Sequence, residues 1–314
     1  MIVEIRALTK IYPAAPHPVT AVGGIDLDVE PGELFGLLGP NGAGKTTTIS
    51  ICTTRARPTA GSVRIAGVDV VAHPARARTH MGVVPQYNTL DRSLTVFENL
   101  YFHCLYFGMG AAASRQRATA LLTQFQLQDR GKAFPSQLSG GMQQRIQIAR
   151  AIAHHPAVLF LDEPSAGLDP QSRIAMWEAV STLRNEGITV VLTTHYMEEA
   201  DTLCDRVAIV DRGRILALDS PEALKQVHGA HTVMELTLRD LTQSALLLAQ
   251  IQTLPGVASA EATTSGIRVF ASQIDGLLPR LVTAAQSAGL RDLALHEPSL
   301  ETVFLKLTGR ELRD

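Results

Sequence analysis

Long apolar runs are missing from this sequence of 314 residues. No stretch approaches the roughly 20 residues that a membrane-crossing helix needs, so none is expected. The opening MIVEIRALTK has no extended apolar core behind a basic head, which argues against a secretory signal. An excess of one charge sign is missing too: the formal net charge is -2. A nucleic-acid surface normally shows as a basic patch or stripe, so no nucleic-acid partner is expected. Cysteine is scarce. Cys52, Cys104 and Cys204 are scattered, odd in number and without CxxC spacing. They read as buried thiols in a reducing compartment, and the chain as soluble and cytoplasmic. Present instead are 46% hydrophobic and 18% charged residues, the make-up of an ordinary globular protein. The length suits one large domain and a small one.

Along the chain, Val3-Ile5, Leu27-Val29 and Ser62-Ala66 have strand-like alternation or β-branching among glycines and prolines. Leu34-Leu38, Met81-Val84, Val158-Leu161 and Ile188-Leu192 are short, nearly continuous apolar runs. Such runs suit strands buried on both faces of a parallel sheet. Each run gives way to a turn or polar segment: a glycine-rich loop, Pro85-Gln86, Asp162-Glu163 and Thr193-Thr194-His195 in turn. In open α/β sheets ligands sit beyond the carboxyl ends of the strands, so these groups are expected to converge. Helical spacing of Val96, Leu100 and His103-Cys104, and of Leu121, Leu122 and Phe125, marks a helical insertion, taken as about 87–150. Val207-Val210 and Ile215-Leu218 flank Asp211-Arg212-Gly213 and predict a hairpin.

The texture changes near His231. A strand over Val233-Leu238 and a helix over Leu241-Leu254 precede strands at Val257-Ala262 and Ile267-Ala271. A helix over Asp275-Ala288 and a strand at Asp292-Leu295 complete a βαββαβ order, that of a ferredoxin-like unit. A last helix is expected from Pro298, burying Leu300, Val303, Phe304 and Leu307. The expected division is a domain over 1–225 and an accessory α+β domain over 226–314.

The strongest chemical signal is GPNGAGKT, comprising Gly39, Pro40, Asn41, Gly42, Ala43, Gly44, Lys45 and Thr46. Its glycines let the backbone N–H groups curl around phosphate oxygens at the start of a helix that continues through Thr47. Lys45 reaches the β- and γ-phosphates and the Thr46 hydroxyl ligates Mg²⁺ in this reading. Asp162, at the end of a buried run, supplies the second Mg²⁺ anchor. Glu163 beside it is the candidate general base, because hydrolysis needs a carboxylate near the attacking water. In LSGGMQQR, Ser139 can cap a helix. A capped helix does not by itself account for Gly140 and Gly141, which leave its first N–H groups open to a phosphate.

With these motifs, residues 2 to 225 resemble the ATP-binding cassette family. The resemblance implies an α/β P-loop fold with a mixed sheet core, an antiparallel β subdomain and a helical subdomain. It further implies that Tyr12 stacks on adenine, although the proline-rich Pro13-Pro18 after it departs from the usual pattern. Gln86 resembles the glutamine that senses γ-phosphate and Mg²⁺, and His195 the switch histidine. Ser139-Gly140-Gly141 resemble the signature that closes on the ATP of an opposite subunit. Ser165 to Asp169 resemble the loop that communicates across such a dimer, with Ser165 where threonine is more usual. THYMEEADTLCDRVAIVDRGRILALDSPEAL and the ending PSLETVFLKLTGRELRD are similar to exporter ATPases of daunorubicin-resistance and nodulation-factor systems. That similarity implies an ATPase working with ATP and Mg²⁺ as a homodimer, peripheral on the inner face of the cell membrane through a separate permease. A soluble, non-transport ABC ATPase and a regulatory module with a dead site are the competing readings. The first usually carries two cassettes or a coiled-coil insertion, and the second would lack a competent catalytic residue. Histidines outside these motifs, His103 and the pair His154-His155, lack metal-ligand spacing and read as structural.

Overall fold

The computed structural model describes residues 1–14, 17–228, 232–271, 276–286, 288–296 and 299–308. The chain forms two compact units, Met1–Pro221 and a second beginning at Glu222.

The first unit opens with β1 (Val3–Tyr12), β2 (Val19–Val29) and β3 (Leu34–Leu38), the last leading through the glycine loop into α1 (Lys45–Cys52). Next come β4 (Ala60–Ile65), β5 (Val68–Asp69), α2 (Pro74–Arg78) and β6 (Met81–Val84). Helices α3 (Val96–Tyr106), α4 (Ala111–Gln124) and α5 (Gly140–Ala151) come after them. Then β7 (Val158–Asp162), α6 (Pro170–Asn185), β8 (Thr189–Thr194), α7 (Met197–Leu203), β9 (Arg206–Asp211) and β10 (Arg214–Asp219) close the unit.

Two sheets result. A six-stranded sheet has the order β10-β9-β3-β8-β7-β6, parallel throughout except for the β9–β10 hairpin. Every residue of β3, β7 and β8 is buried, the consequence of near-continuous apolar runs covered on both faces. The second sheet, β2-β1-β4-β5, is antiparallel. One core joins the two: Ile5, Leu8, Leu27 and Val63 pack with Ile49 and Ile51 of α1 and with Phe35, Val158 and Phe160 of the parallel sheet. Among the helices, α3 starts at a capping box in which the Thr95 hydroxyl accepts from Glu98 N at 3.2 Å and Glu98 Oε2 accepts from Thr95 N at 2.8 Å. Ser139 caps α5 by accepting from Met142 N at 3.3 Å. No helix among the described residues is long and apolar enough to cross a membrane.

The second unit contains β11 (Thr232–Leu238), α9 (Ser244–Gln252), β12 (Val257–Ala262), β13 (Gly266–Ala271), α10 (Leu277–Ala285), β14 (Leu290–His296) and α11 (Leu300–Thr308). Helix α8 (Pro221–His228) precedes them. The strand order β12-β13-β11-β14, antiparallel throughout, is that of a split βαβ unit. Leu247 and Ile251 of α9 and Leu277 and Leu281 of α10 pack on Met234, Leu236, Ile267 and Val269. Helix α9 starts three residues after the expected Leu241. The carboxylate of Asp240 accepts from Thr242 N at 2.9 Å and from its hydroxyl at 2.5 Å, holding a turn that competes with helix. Asp275 and Pro298, the expected starts of α10 and α11, lie outside the described residues.

Candidate active site

Parallel pairing brings four strand ends to one edge. Leu38 pairs with Thr194, Asp162 with Thr193, and Val84 with Leu161. The glycine loop, Gln86, Glu163 and His195 therefore all emerge there.

The loop is drawn tight by close backbone approaches. Gly39 N donates to Thr194 O at 3.2 Å, and a Cβ on Gly39 would sit 2.1 Å from Val210 O. Gly44 has φ 104°, and its Cβ would meet Ala21 O at 2.3 Å. Both positions demand glycine. Pro40 O accepts from Ala43 N at 3.1 Å, while Asn41 and Gly42 are exposed. Lys45 opens α1 with its side chain buried inside the loop, donating from Nζ to Gly39 O at 2.7 Å and Pro40 O at 3.1 Å. Its Nζ also lies 3.5 Å from Glu163 Oε1. Burial pulls the Lys45 pKa below that of an ordinary amine, and the charge of Glu163 opposes the shift.

Thr46 is exposed and Thr47 half-buried. The Thr46 hydroxyl donates to Asp162 Oδ1 at 3.1 Å. The same oxygen accepts from the Thr193 hydroxyl at 2.7 Å, and Thr193 Oγ1 accepts from Glu163 N at 2.9 Å. Thr193 thus fastens both acidic residues to β8, and nothing in its side chain advertised that role before the β7–β8 pairing was known. Glu163 adopts φ 49°, a left-handed conformation unusual for a residue with a Cβ. Its carboxylate is the hub of the site: Oε2 accepts from Gln86 Nε2 at 3.1 Å and lies 3.4 Å from His195 Nδ1. Thr46 and Asp162 offer hard oxygen donors in contact, a set that fits Mg²⁺, which binds through one or two carboxylates and fills much of its shell with water and phosphate.

Tyr12 and Ser139-Gly141 take no part in these contacts. Tyr12 ends β1 opposite Val19, 39% exposed, with Lys10 Nζ 4.8 Å from its ring centre. Ser139 and Gly140 are exposed at the start of α5. Gly141 has a packing reason of its own, since a Cβ there would lie 2.5 Å from Ser172 Oγ of α6. Further along α5, Gln143, Gln147 and Arg150 share one face and hold the segment after Gln86. Asn88 donates to Gln143, Thr89 N to Gln147 Oε1 at 3.1 Å, and Arg150 Nη1 to Thr89 O at 2.7 Å. The signal was the i, i+4, i+7 spacing of long polar side chains in QQRIQIAR.

An arrangement of this kind serves the binding and cleavage of a nucleoside triphosphate. The comparisons with known proteins agree. A family profile described as ABC transporter matches residues 22–166. The Nod factor export ATP-binding protein I of Ralstonia nicotianae is 40% identical over 315 residues, covering 100% of this chain and 95% of that protein. The daunorubicin resistance ATP-binding protein DrrA2 of Streptomyces coeruleorubidus is 40% identical over 291 residues, covering 92% and 90%. Among solved structures, a dimeric post-hydrolysis state of the ATP-binding cassette MJ0796 bound to ADP and Pi superposes with TM-score 0.64 at 28% identity, covering 69% of this chain and 98% of that one. The chain belongs to the ABC transporter family, as an ATP-hydrolysing cassette.

Proposed function

We propose that this chain is the ATP-binding and hydrolysing subunit of an export system, acting as a homodimer and passing its motion to a separate membrane permease on the inner face of the membrane. The names of its relatives, Nod factor export and daunorubicin resistance, support the export part of this reading. The observation that carries the hydrolytic part is the contact of Glu163 with Lys45, Gln86 and His195 at one strand edge.

In this reading the backbone N–H groups of Gly39–Thr47 hold the phosphates and Lys45 turns its ammonium from the Gly39 and Pro40 carbonyls to the β- and γ-phosphates. Thr46 and Asp162, with Gln86, would hold Mg²⁺, which supplies neutralisation of phosphate charge when bound. Glu163 takes a proton from the attacking water onto its carboxylate, and Gln86 and His195 orient that carboxylate and the γ-phosphate. Tyr12 stacks on adenine. Ser139, Gly140 and Gly141 direct the first N–H groups of α5 to the ATP held by the second copy.

Two measurements test the reading. Lys45→Ala should abolish ATP binding while the protein stays folded; unchanged affinity would refute the phosphate cradle. Affinity purification from membranes should recover a multi-helix membrane protein with the tagged chain, and repeated recovery of ribosomes or DNA instead would overturn the transport assignment.

A further inference from the structure

Behind the catalytic edge lies a second polar cluster that the hydrolytic roles of Glu163, Gln86 and His195 leave unused. Glu199, in the first turn of α7, is 0% exposed. Its Oε1 accepts from Trp177 Nε1 of α6 at 3.0 Å. The hydroxyls of Ser165 and Thr194 lie beside the carboxyl, and the positive charge of Arg173 reaches it. Glu199 Oε2 and Ser165 Oγ are both buried without a hydrogen bond of good geometry, one able to complement the other. An unpaired polar atom in such a place is costly, and an apolar side chain would fill the space without that cost.

The position of the cluster shows what the acid does. Ser165 comes two residues after Glu163, and Thr194 immediately precedes His195. Thr194 is also anchored to the loops above it: its hydroxyl accepts from Tyr196 N at 2.9 Å and its carbonyl from Gly39 N at 3.2 Å. The carboxyl of Glu199 thus underlies both chain segments whose ends meet at the 3.4 Å approach of Glu163 Oε2 to His195 Nδ1. Burial raises its pKa above that of an ordinary carboxylic acid, and the hydroxyls of Thr194 and Ser165, the Trp177 N–H and the charge of Arg173 oppose the shift.

We propose that Glu199 is a positioning residue for ATP hydrolysis, tying the segment after β7 to the segment after β8 and so setting Glu163 against His195. The proposal rests on the roles proposed for those two residues in hydrolysis. It is tested on the full chain by MgATP kinetics of Glu199→Gln, Glu199→Leu and Trp177→Phe, and of Glu199→Leu combined with His195→Ala. Glu199→Leu should lower kcat about 10-fold or more with KM within about twofold, the mark of a group acting on the transition state alone. Glu199→Gln keeps an acceptor for Trp177 and a donor for a hydroxyl, and should restore kcat to within about threefold. On top of His195→Ala, Glu199→Leu should cost no more than about twofold, because the contact it sets is already gone. If Glu199→Leu does not fold, Trp177→Phe, which deletes one hydrogen bond, should still lower kcat about threefold at unchanged KM. Wild-type kcat in Glu199→Leu, or an undiminished loss in the double variant, would overturn the proposal. Wild-type turnover in His195→Ala alone would refute the role of His195 itself, a separable failure that removes the basis of this one.

Discussion

Replacing Thr193 by valine keeps the shape of the side chain and deletes its hydroxyl. That hydroxyl is fully buried, donates to Asp162 Oδ1 at 2.7 Å and accepts from Glu163 N at 2.9 Å. After the change Glu163 N retains Thr193 O at 3.1 Å, and Asp162 Oδ1 is left with the Thr46 hydroxyl at 3.1 Å among the described residues. The lost bond is to a charged acceptor in a dry place, where such bonds contribute about 1.5–3 kcal/mol. At about 2–4 °C per kcal/mol for a unit of this size, the midpoint of thermal unfolding should drop by roughly 3–12 °C. Turnover should fall further than stability alone explains, because the strained φ of Glu163 is held partly by the second bond that is lost, from Glu163 N to the Thr193 hydroxyl. A fall of about 10-fold corresponds to 1.4 kcal/mol in the barrier. Thermal melts followed by circular dichroism, paired with phosphate-release assays, read both effects. Thr193→Ser keeps both bonds and removes one methyl, so it should lose about 1 kcal/mol and retain turnover. Thr193→Val with a melting midpoint and kcat equal to wild type would refute the bridging role.

Two further outcomes are expected. Gly141→Ala places a Cβ 2.5 Å from Ser172 Oγ and 2.8 Å from Ser172 Cβ, while Ser172 is itself held by Asp169, so overpacking should cost about 1–3 kcal/mol. Urea denaturation reads it: Ser172→Gly in the same chain should recover part of the loss, and a wild-type midpoint for Gly141→Ala would discredit the packing argument. Burial holds the pKa of His103 down at about 3 and that of His154 at about 4, against an ordinary value near 6.5. With folded values below unfolded ones, the unfolded chain binds more protons in this window, so stability is present above pH ~6.5 and declines as pH falls toward ~4. Changing His154, whose ring stacks on Phe107 at 3.7 Å, to phenylalanine should flatten that acid limb by up to about 1.4 kcal/mol per pH unit, and an identical slope would contradict it.

Much of the site was readable in advance because its parts are local. The runs ending at Leu38, Val84, Leu161 and Leu192 are apolar enough to identify buried parallel strands, and a strand end is where ligands gather. The glycine loop carries its chemistry in adjacent residues. Less legible were features that depend on pairing. β1 and β2 run to Val3–Tyr12 and Val19–Val29, well beyond Val3-Ile5 and Leu27-Val29, because irregularities between Ile5 and Leu8 and between Lys10 and Ile11 break the alternation that marks a strand. Thr193 gained its meaning only when β7 lay beside β8. Glu199 stands next to Glu198 in the sequence, yet Glu198 is exposed and Glu199 buried, a difference set by the packing of α7 against α6 and β8. Gly141 had a phosphate-binding reading, and its close approach to Ser172 could not be seen without the second helix.

The central claim, that Glu163 is the base of an ATP-hydrolysing site built at this strand edge, is tested most directly by Glu163→Gln. The amide keeps the size of the side chain and cannot take up the proton of water. Measured in parallel for ATP affinity and for phosphate release, the variant should bind ATP as wild type does while turnover falls by on the order of 10²–10⁴. Phosphate release near the wild-type rate would contradict the account.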